Sequence, residues 1–249
     1  MNRLGLWKRL AKVVGHADAI IHVGDQIYGD EDVHAKTGRS IRFMSSWASC
    51  MNLTASMPRS QWDDKRNKML EYYRETYRRT WNQPDVASVL ASAANYMVID
   101  DHEVVDDLGD EEVHADKNSQ EFYVICVAYQ AYCEYQRQLF SDIDVTNPAN
   151  KAYITFKIGK DIGVFLTDNR VERSIHRAMG NKRDWGSQAF LGPAQWKTLA
   201  NSFNKDFQDC KAVLLGTPTP AVFISQRATT QAVKVISDAR GTWGHINFK

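Results

Sequence analysis

The segment IIHVGDQIYGD, residues 20–30, decides the fold. It starts with an apolar run, Ile-Ile-His-Val, of the kind that forms a buried strand. The run stops at Gly24, and Asp25, Tyr28 and Asp30 follow within a few residues. A strand that delivers two carboxylates and a phenol beyond its carboxyl end is typical of an α/β protein with a ligand site at that edge of the sheet.

The composition of the chain fits a globular protein. It has 249 residues, 43% of them hydrophobic, and a formal net charge of +1, which is enough for one α/β domain or two small ones. The balanced charge argues against a nucleic-acid-binding surface, and no apolar stretch has the length of a transmembrane segment. The first twenty residues do not resemble a secretory signal peptide, and the compartment is left open. The four cysteines form no C-x-x-C pair, so we expect free thiols at Cys50, Cys126, Cys133 and Cys210.

Hydrophobic periodicity predicts alternating helices and strands. Helices are expected over residues 3–14, 61–81, 119–140 and 192–204, and strands over 18–24, 95–100 and 212–220. Segment 152–170 alternates on both sides of Gly159-Lys160, as a β-hairpin does, and residues 29–59 are expected to form a loop. This order favours an α/β (α+β) fold with a mixed or partly parallel sheet covered by helices. Ligands of such sheets bind beyond the carboxyl ends of the strands, which here carry Asp25, Asp101-His102, Asp168 and Gly216.

Oxygen ligands for a metal ion are concentrated at two of these strand ends. Asp25 leaves its strand where a ligand is needed, and Asp30 is a further oxygen donor nearby. Tyr28 ligates only as a phenolate, which indicates a strongly acidic ion such as ferric iron. The second cluster, IDDHEVVDD (99–107), has five carboxylates and one histidine between residues 100 and 107. Carboxylates at this density repel one another unless cations lie among them, and His102 is well placed as a general acid or phosphate donor.

Two simpler interpretations stay open at this point. Gly24-Asp25 is also the sequence of an ordinary turn, and an acidic segment such as 100–107 is often a solvated loop. A calcium-binding module is a further alternative, but the acidic segment lacks the regular spacing of an EF-hand loop.

Three sequence blocks resemble the PhoD-type alkaline phosphatases, a family of calcineurin-like metallophosphoesterases. HVGDQIYGD (22–30) is similar to the family's His-x-Gly-Asp-x-Ile-Tyr block, MVIDDHEVVDDLGD (97–110) to its Asp-Asp-His-Glu block, and VFLTDNRVER (164–173) to its Leu-Asp-x-Arg block. LGPAQWKTL (191–199) is similar to the Leu-Gly-x-x-Gln-Trp start of a helix, and GTPTPAVFIS (216–225) and DARGTWGH (238–245) to later segments. The blocks follow the family's order over almost the whole chain.

The resemblance implies a four-layer α/β/β/α metallophosphoesterase sandwich with two metal ions, Fe³⁺ plus Ca²⁺ or another divalent ion. The implied metal ligands are Asp25, which would bridge the two ions, Tyr28 on the ferric ion, and Asp101. His102 is the implied catalytic residue and would also contact the substrate phosphate, with Gln26 close by.

Two arginines and one further acid have implied roles. Arg170 is a substrate-binding candidate, and for Arg170 and Arg173 a structural role is the alternative. Asp168 would belong to the outer support of the site.

The implied reaction is the hydrolysis of a small phosphoester, either a phosphomonoester or a phosphodiester. Two metal ions about 4 Å apart would hold the phosphate while a metal-bound hydroxide attacks in line. His102 would stabilise charge on the transferring group.

The sequence departs from the family pattern at both ends. No early strand delivers a metal ligand before residue 18, and no Gly-Asp-x-His block follows Gly241-Thr-Trp-Gly-His245, where His245 is expected to be structural. Residues 1–249 are therefore expected to form a single partial domain, incomplete at both ends. The chain is then a fragment of an active phosphatase, an inactive metallophosphatase-fold binding or scaffold protein, or one that takes ligands from a partner chain. Unpaired edges would also favour self-association.

Overall fold

Helices and strands alternate along the described residues, 3–31, 45–172 and 191–219 of a computed structural model. The helices are α1 (Arg3–Val13), α2 (Ser46–Thr54), α3 (Arg66–Trp81), α4 (Pro84–Leu90), α5 (Gln120–Tyr135) and α6 (Pro193–Asn201). The strands are β1 (Ala19–Val23), β2 (Ala94–Val98), β3 (Ile154–Ile158), β4 (Ile162–Leu166) and β5 (Ala212–Gly216). The mixture places the chain in the α/β class, as the sequence predicts.

The described strands form two sheets. β1 and β2 pair in parallel, with Val23 opposite Val98, and α2, α3 and α4 lie between them in the chain. β3 and β4 form the predicted antiparallel hairpin, and β5 pairs in parallel with β4 to give the order β3-β4-β5. The two parallel pairs bring the carboxyl ends of their strands to common edges, where the acidic residues follow.

An apolar core joins the two sheets. Val98 of β2 is buried against Val164 and Leu166 of β4, and the rings of Tyr96 and Phe156 stack with centroids 4.0 Å apart. The opposite face of β4 packs on the segment that follows α6. The Phe207 ring lies so close to Gly163 that it would collide with a Cβ at this position.

A larger helical core lies under the ends of β1 and β2. Tyr73 and Tyr77 of α3, Tyr132 of α5 and Cys50 of α2 are buried there together with Ile99. Met69, Tyr73 and Tyr77 recur at helical spacing, which is the face that the sequence predicts for this helix. The core thus anchors the residue that directly precedes the Asp100-Asp101-His102 segment.

Some elements differ from the sequence expectations. Residues 46–54 form a helix inside the predicted loop, because the side chain of Ser45 accepts the Ala48 amide and Cys50 and Trp47 pack on the core. The helix predicted to reach residue 140 ends at Tyr135, and Gln136 turns its amide into the core instead. Helix α4 was not predicted at all.

Other expectations are confirmed or lie outside the described residues. All four cysteines are free thiols. No described helix is long and apolar enough to cross a membrane. Arg173, His245 and the blocks from residue 220 onward lie outside the described residues.

Candidate metal and phosphate site

The candidate site lies where β1 and β2 end side by side. Gly24 has a φ of 99° and Asp25 a φ of 58°, so the chain turns sharply away from the strand. A Cβ on Gly24 would lie 2.3 Å from the Cβ of Asp100, which only a glycine avoids. Asp25 is an L-residue in the left-handed region, a conformation that is uncommon and often marks a functional site.

Asp25, Asp101 and His102 come together at this edge. Each offers one ligand atom, and these atoms lie within 4.8 Å of one another. Oδ1 of Asp25 is buried and has no hydrogen-bond partner among the described residues. A buried carboxylate oxygen without a partner is costly, and a hard cation would satisfy it. The donor set therefore fits a metal ion.

The electrostatics of Asp25 support the same conclusion. Burial raises the pKa of this carboxyl to about 7, and the charges of Glu103, Asp100 and Asp101 add to the effect. The phenol of Tyr28 lies 3.4 Å from Oδ2 of Asp25, so the structure brings all three predicted metal ligands together. Their ligand roles stay predictions.

His102 is held by a carboxylate that lies 72 residues earlier in the chain. Its Nδ1 is 2.8 Å from Oδ1 of Asp30, and its ring lies 4.4 Å from that of Tyr28. Burial lowers the pKa of His102, but the hydrogen bond and charge of Asp30, with Asp101 and Asp25, raise it to about 9 overall. Because Asp30 occupies Nδ1, Nε2 is the nitrogen left for a ligand or a phosphate.

Asp30 is therefore placed differently from the sequence interpretation. Its second oxygen accepts the backbone amide of Asp106, so both oxygens are engaged within the protein. Asp30 orients His102 instead of standing among the candidate metal ligands.

The other two predicted substrate-binding residues, Gln26 and Arg170, lie around this cluster. The Gln26 side chain donates to the Gly24 carbonyl. Arg170 is buried, pairs with Asp100 through Nε, and places Nη2 3.1 Å from Asp101. Its Nη1 is buried without a hydrogen-bond partner among the described residues, so a substrate would reach this nitrogen only after the surrounding side chains had moved. Substrate contact by Gln26 and Arg170 stays a prediction.

Asp168 supports Arg170 from behind. Its Oδ1 accepts the backbone amides of Arg170 and Val171. Gln195 of α6 in turn bonds both the amide and the carbonyl of Asp168. This agrees with the expected supporting role.

The acidic segment is folded rather than solvated. Asp101 and Asp110 are buried, and the Asp107 amide donates to Asp101 at 2.8 Å. Burial raises the pKa of Asp107 to about 6, with Asp110 and Asp106 contributing. The interpretation of a solvated loop is wrong for these residues.

The family profile of the PhoD-like phosphatases matches residues 3–244. The chain belongs to the PhoD-like phosphatase family. The profile spans the candidate site and confirms the resemblance that the sequence blocks indicate. A search among curated proteins found no match.

A solved structure described as that of PhoD has a similar fold. It superposes with a TM-score of 0.59 at 22% sequence identity, over 85% of this chain and 38% of that chain. At this identity the likeness shows the fold alone. The PhoD-like chain spans well under half of the length of the PhoD structure.

Sequence reasoning assigned no function to Glu103, although it stands in the PhoD-like Asp-Asp-His-Glu block. The side chain is fully buried and contacts both strand ends. Its position beside His102 was the only signal in the sequence, and that signal does not say what the carboxylate contacts.

Proposed function

We propose that this chain carries the phosphoester-hydrolysing metal site of a PhoD-like phosphatase. The substrates would be small phosphomonoesters or phosphodiesters. The observation that carries the proposal is the cluster of Asp25, Asp101 and His102, with a buried and unpaired Asp25 oxygen, in a chain of this family.

Asp25, Tyr28 and Asp101 would hold the metal ions. Carboxylates suit hard cations, and a phenolate suits a ferric ion, so Fe³⁺ plus Ca²⁺ or another divalent ion is the proposed pair. Two such ions, when bound, polarise a phosphoryl group and activate a water molecule for attack. Asp25 would be among the residues that hold the ions, because its buried Oδ1 has no hydrogen-bond partner among the described residues and its Oδ2 faces the Tyr28 phenol.

The protein groups around the ions would bind and orient the phosphoester. His102, aligned by Asp30, would donate from Nε2 to the phosphate and, with a pKa near 9, would carry a proton at neutral pH. Gln26 would contact the phosphate only after releasing the Gly24 carbonyl. Arg170 would neutralise Asp100 and Asp101, and it would contact the phosphate only if its buried Nη1 were uncovered.

The four-layer sandwich and the assignment of residues 1–249 to a single partial domain belong to the same proposal. The α/β/β/α layer order is supported by three contacts. The two sheets pack on each other, a helical core lies near one sheet, and the segment with α6 lies against the other. Coverage of 38% of the PhoD structure supports a partial domain. Exposed apolar side chains on β5 support self-association of this chain.

The test is metal content and turnover on one purified sample. Iron and calcium per chain are quantified, and p-nitrophenyl phosphate and bis-p-nitrophenyl phosphate are assayed with wild type, Asp25→Asn and His102→Ala. Asn tolerates the left-handed backbone at position 25, so loss of metal there reports the ligand and not misfolding. Glu134→Gln, a remote carboxylate bound by Arg74, is the matched control.

The expected result is bound metal and turnover in wild type and in the control. Asp25→Asn should lose metal, and His102→Ala should lose about 10²–10⁴-fold in kcat with metal retained. Bound metal without turnover would favour the inactive scaffold or a partial domain that is active only as part of a longer or partnered chain. A chain that binds no metal would contradict the proposed site.

A further inference from the structure

The carboxylate of Glu103 joins the two strand ends that carry the candidate metal ligands. Oε1 accepts the backbone amide of Gln26 at 2.7 Å, and Oε2 accepts those of Asp25 at 3.1 Å and Asp100 at 3.0 Å. A fourth donor, Nε2 of Gln136, reaches Oε1 at 3.1 Å. One side chain thus bonds the turn after β1 and the first residue of the segment after β2.

These bonds are strong because of where Glu103 lies. The side chain is 0% exposed, and a buried carboxylate is tolerated only when its oxygens are well paired. Burial raises the pKa of the Glu103 carboxyl, and the bonds from Gln26, Gln136 and Asp100 act against that effect. All four partners are donors, which suits an ionised acceptor, and hydrogen bonds to such an acceptor are about twice as strong as those between neutral groups. The carboxylate therefore fixes the backbone positions of the amides that it binds.

The amides concerned are those that set the ligand geometry. Asp25 has a left-handed φ and a carboxylate beside Asp101, and its long side-chain contact with the Tyr28 hydroxyl, at 3.4 Å, does not fix its backbone. The bonds from its own amide and from the next amide to Glu103 do so. The bond from Asp100 places the neighbouring Asp101 and His102 against the same carboxylate.

We propose that Glu103 is a positioning residue of the metal site, whose carboxylate holds the Asp25 turn and the Asp100–His102 segment in one geometry. The metal-binding consequence rests on the proposed function, whereas the effect on the two strand ends does not. Glu103 does not touch substrate or metal in this role.

Glu103→Gln is the decisive variant. Gln has the same shape as Glu, but its side-chain NH₂ is itself a donor. Wherever it points, it must face backbone or Gln136 donors, and the hydrogen bonds on that side are lost. Hydrogen exchange is measured on the metal-stripped full chain for peptides covering residues 20–31 and 97–104, against a reference peptide from α5. Ca²⁺ alone is then titrated by calorimetry.

The expected result is selective loosening of the strand ends. Exchange at the Asp25, Gln26 and Asp100 amides should rise about tenfold more than in α5, and Ca²⁺ affinity should fall about 10–100-fold. Glu134→Gln, the same change in a remote, partly buried pair with Arg74, should leave the exchange at the strand ends and the Ca²⁺ affinity unchanged. Exchange that rises equally in α5, or not at all at the strand ends, would overturn the proposal.

A second variant covers the case in which Glu103→Gln does not fold. Gln136→Met removes one donor to Oε1 and leaves the three backbone donors in place. It should loosen the same peptides selectively, by a smaller factor, and an equal rise in α5 would again overturn the proposal. If wild type binds no Ca²⁺, calcium is refuted as a metal of this site, and the exchange data alone decide the role of Glu103.

Discussion

At the scale of single residues, Asp25 shows how the candidate site opposes stability. Its carboxylate is desolvated and lies near three other acids, and its backbone is in the left-handed region. The left-handed backbone costs folding free energy, and the buried charge does so as well unless a cation binds. The binding site is therefore a place where a substitution can stabilise the metal-free chain.

We expect Asp25→Asn to raise the stability of the metal-free chain by on the order of 1 kcal/mol at pH 8. The pKa of Asp25 in the folded state is about 7, above the ordinary 3.8. The folded wild-type protein therefore loses stability as the pH rises from 3.8 to about 7. Asn carries no charge and shows no such loss. Urea denaturation at pH 5 and pH 8 measures the difference, and equal stability of both proteins at pH 8 would contradict it.

Asp30 should control the protonation of His102. We expect Asp30→Asn to lower the His102 pKa from about 9 toward the ordinary 6.5, because the variant loses the bonded charge. In wild type, the stability from this pair is complete below pH 6.5 and is lost as the pH rises toward 9. NMR titration of the histidine ring in the metal-free chain measures the shift. An unchanged pKa would mean that Asp30 does not act on His102.

At the scale of elements, the close approach of the β1 and β2 ends depends on Gly24. We expect Gly24→Ala to cost about 2–4 kcal/mol, because its Cβ would collide with Asp100 and its φ is unfavourable for Ala. Gly5→Ala in α1 is the matched control, since nothing lies within 4 Å there. A helical Ala should stabilise by about 0.5–1 kcal/mol. Chemical denaturation compares the two, and a neutral Gly24→Ala would contradict the close packing.

Arg170 links the segment after β4 to the segment after β2. We expect Arg170→Met to cost about 3–5 kcal/mol at pH 7, because it leaves Asp100 and Asp101 buried without their cation. Arg170→Met/Asp100→Asn should recover part of the loss. Denaturation at pH 7 compares both variants with wild type, and a double variant no more stable than Arg170→Met would indicate lost packing alone.

At the scale of the whole molecule, the last described strand exposes apolar side chains. Val213, Leu214 and Leu215 of β5 are 36%, 46% and 48% exposed, although the sequence of the strand is typical of a buried one. We expect concentration-dependent self-association of this chain in sedimentation velocity. Leu214→Lys should reduce it, and Leu139→Lys, an exposed leucine outside β5, should not. A monomer at all concentrations would contradict the prediction.

Local patterns account for the parts of the fold that the sequence predicted well. The spacing of Met69, Tyr73 and Tyr77 on α3 and the alternation around Gly159 depend only on helix and strand periods. Helix α2 was missed because it has little amphipathic pattern and is stabilised by Ser45 and by contacts with α3 and α5. The end of α5 was missed because Gln136, an ordinary helix residue, turns into the core.

The sequence by itself determined the family, the α/β class and the residue types at the two strand ends. These follow from motifs and periods within short segments, such as residues 20–30 and 97–110. Only the tertiary structure decided that Asp30 holds His102, that Arg170 lies behind Asp100 and Asp101, and that Glu103 bonds both strand ends. In all of these contacts except the one between Glu103 and Asp100, the partners are about 70 residues or more apart in the sequence. No local pattern specifies which buried carboxylate meets which donor, because the pairing depends on how the parallel strands align and on what the surrounding core excludes from water.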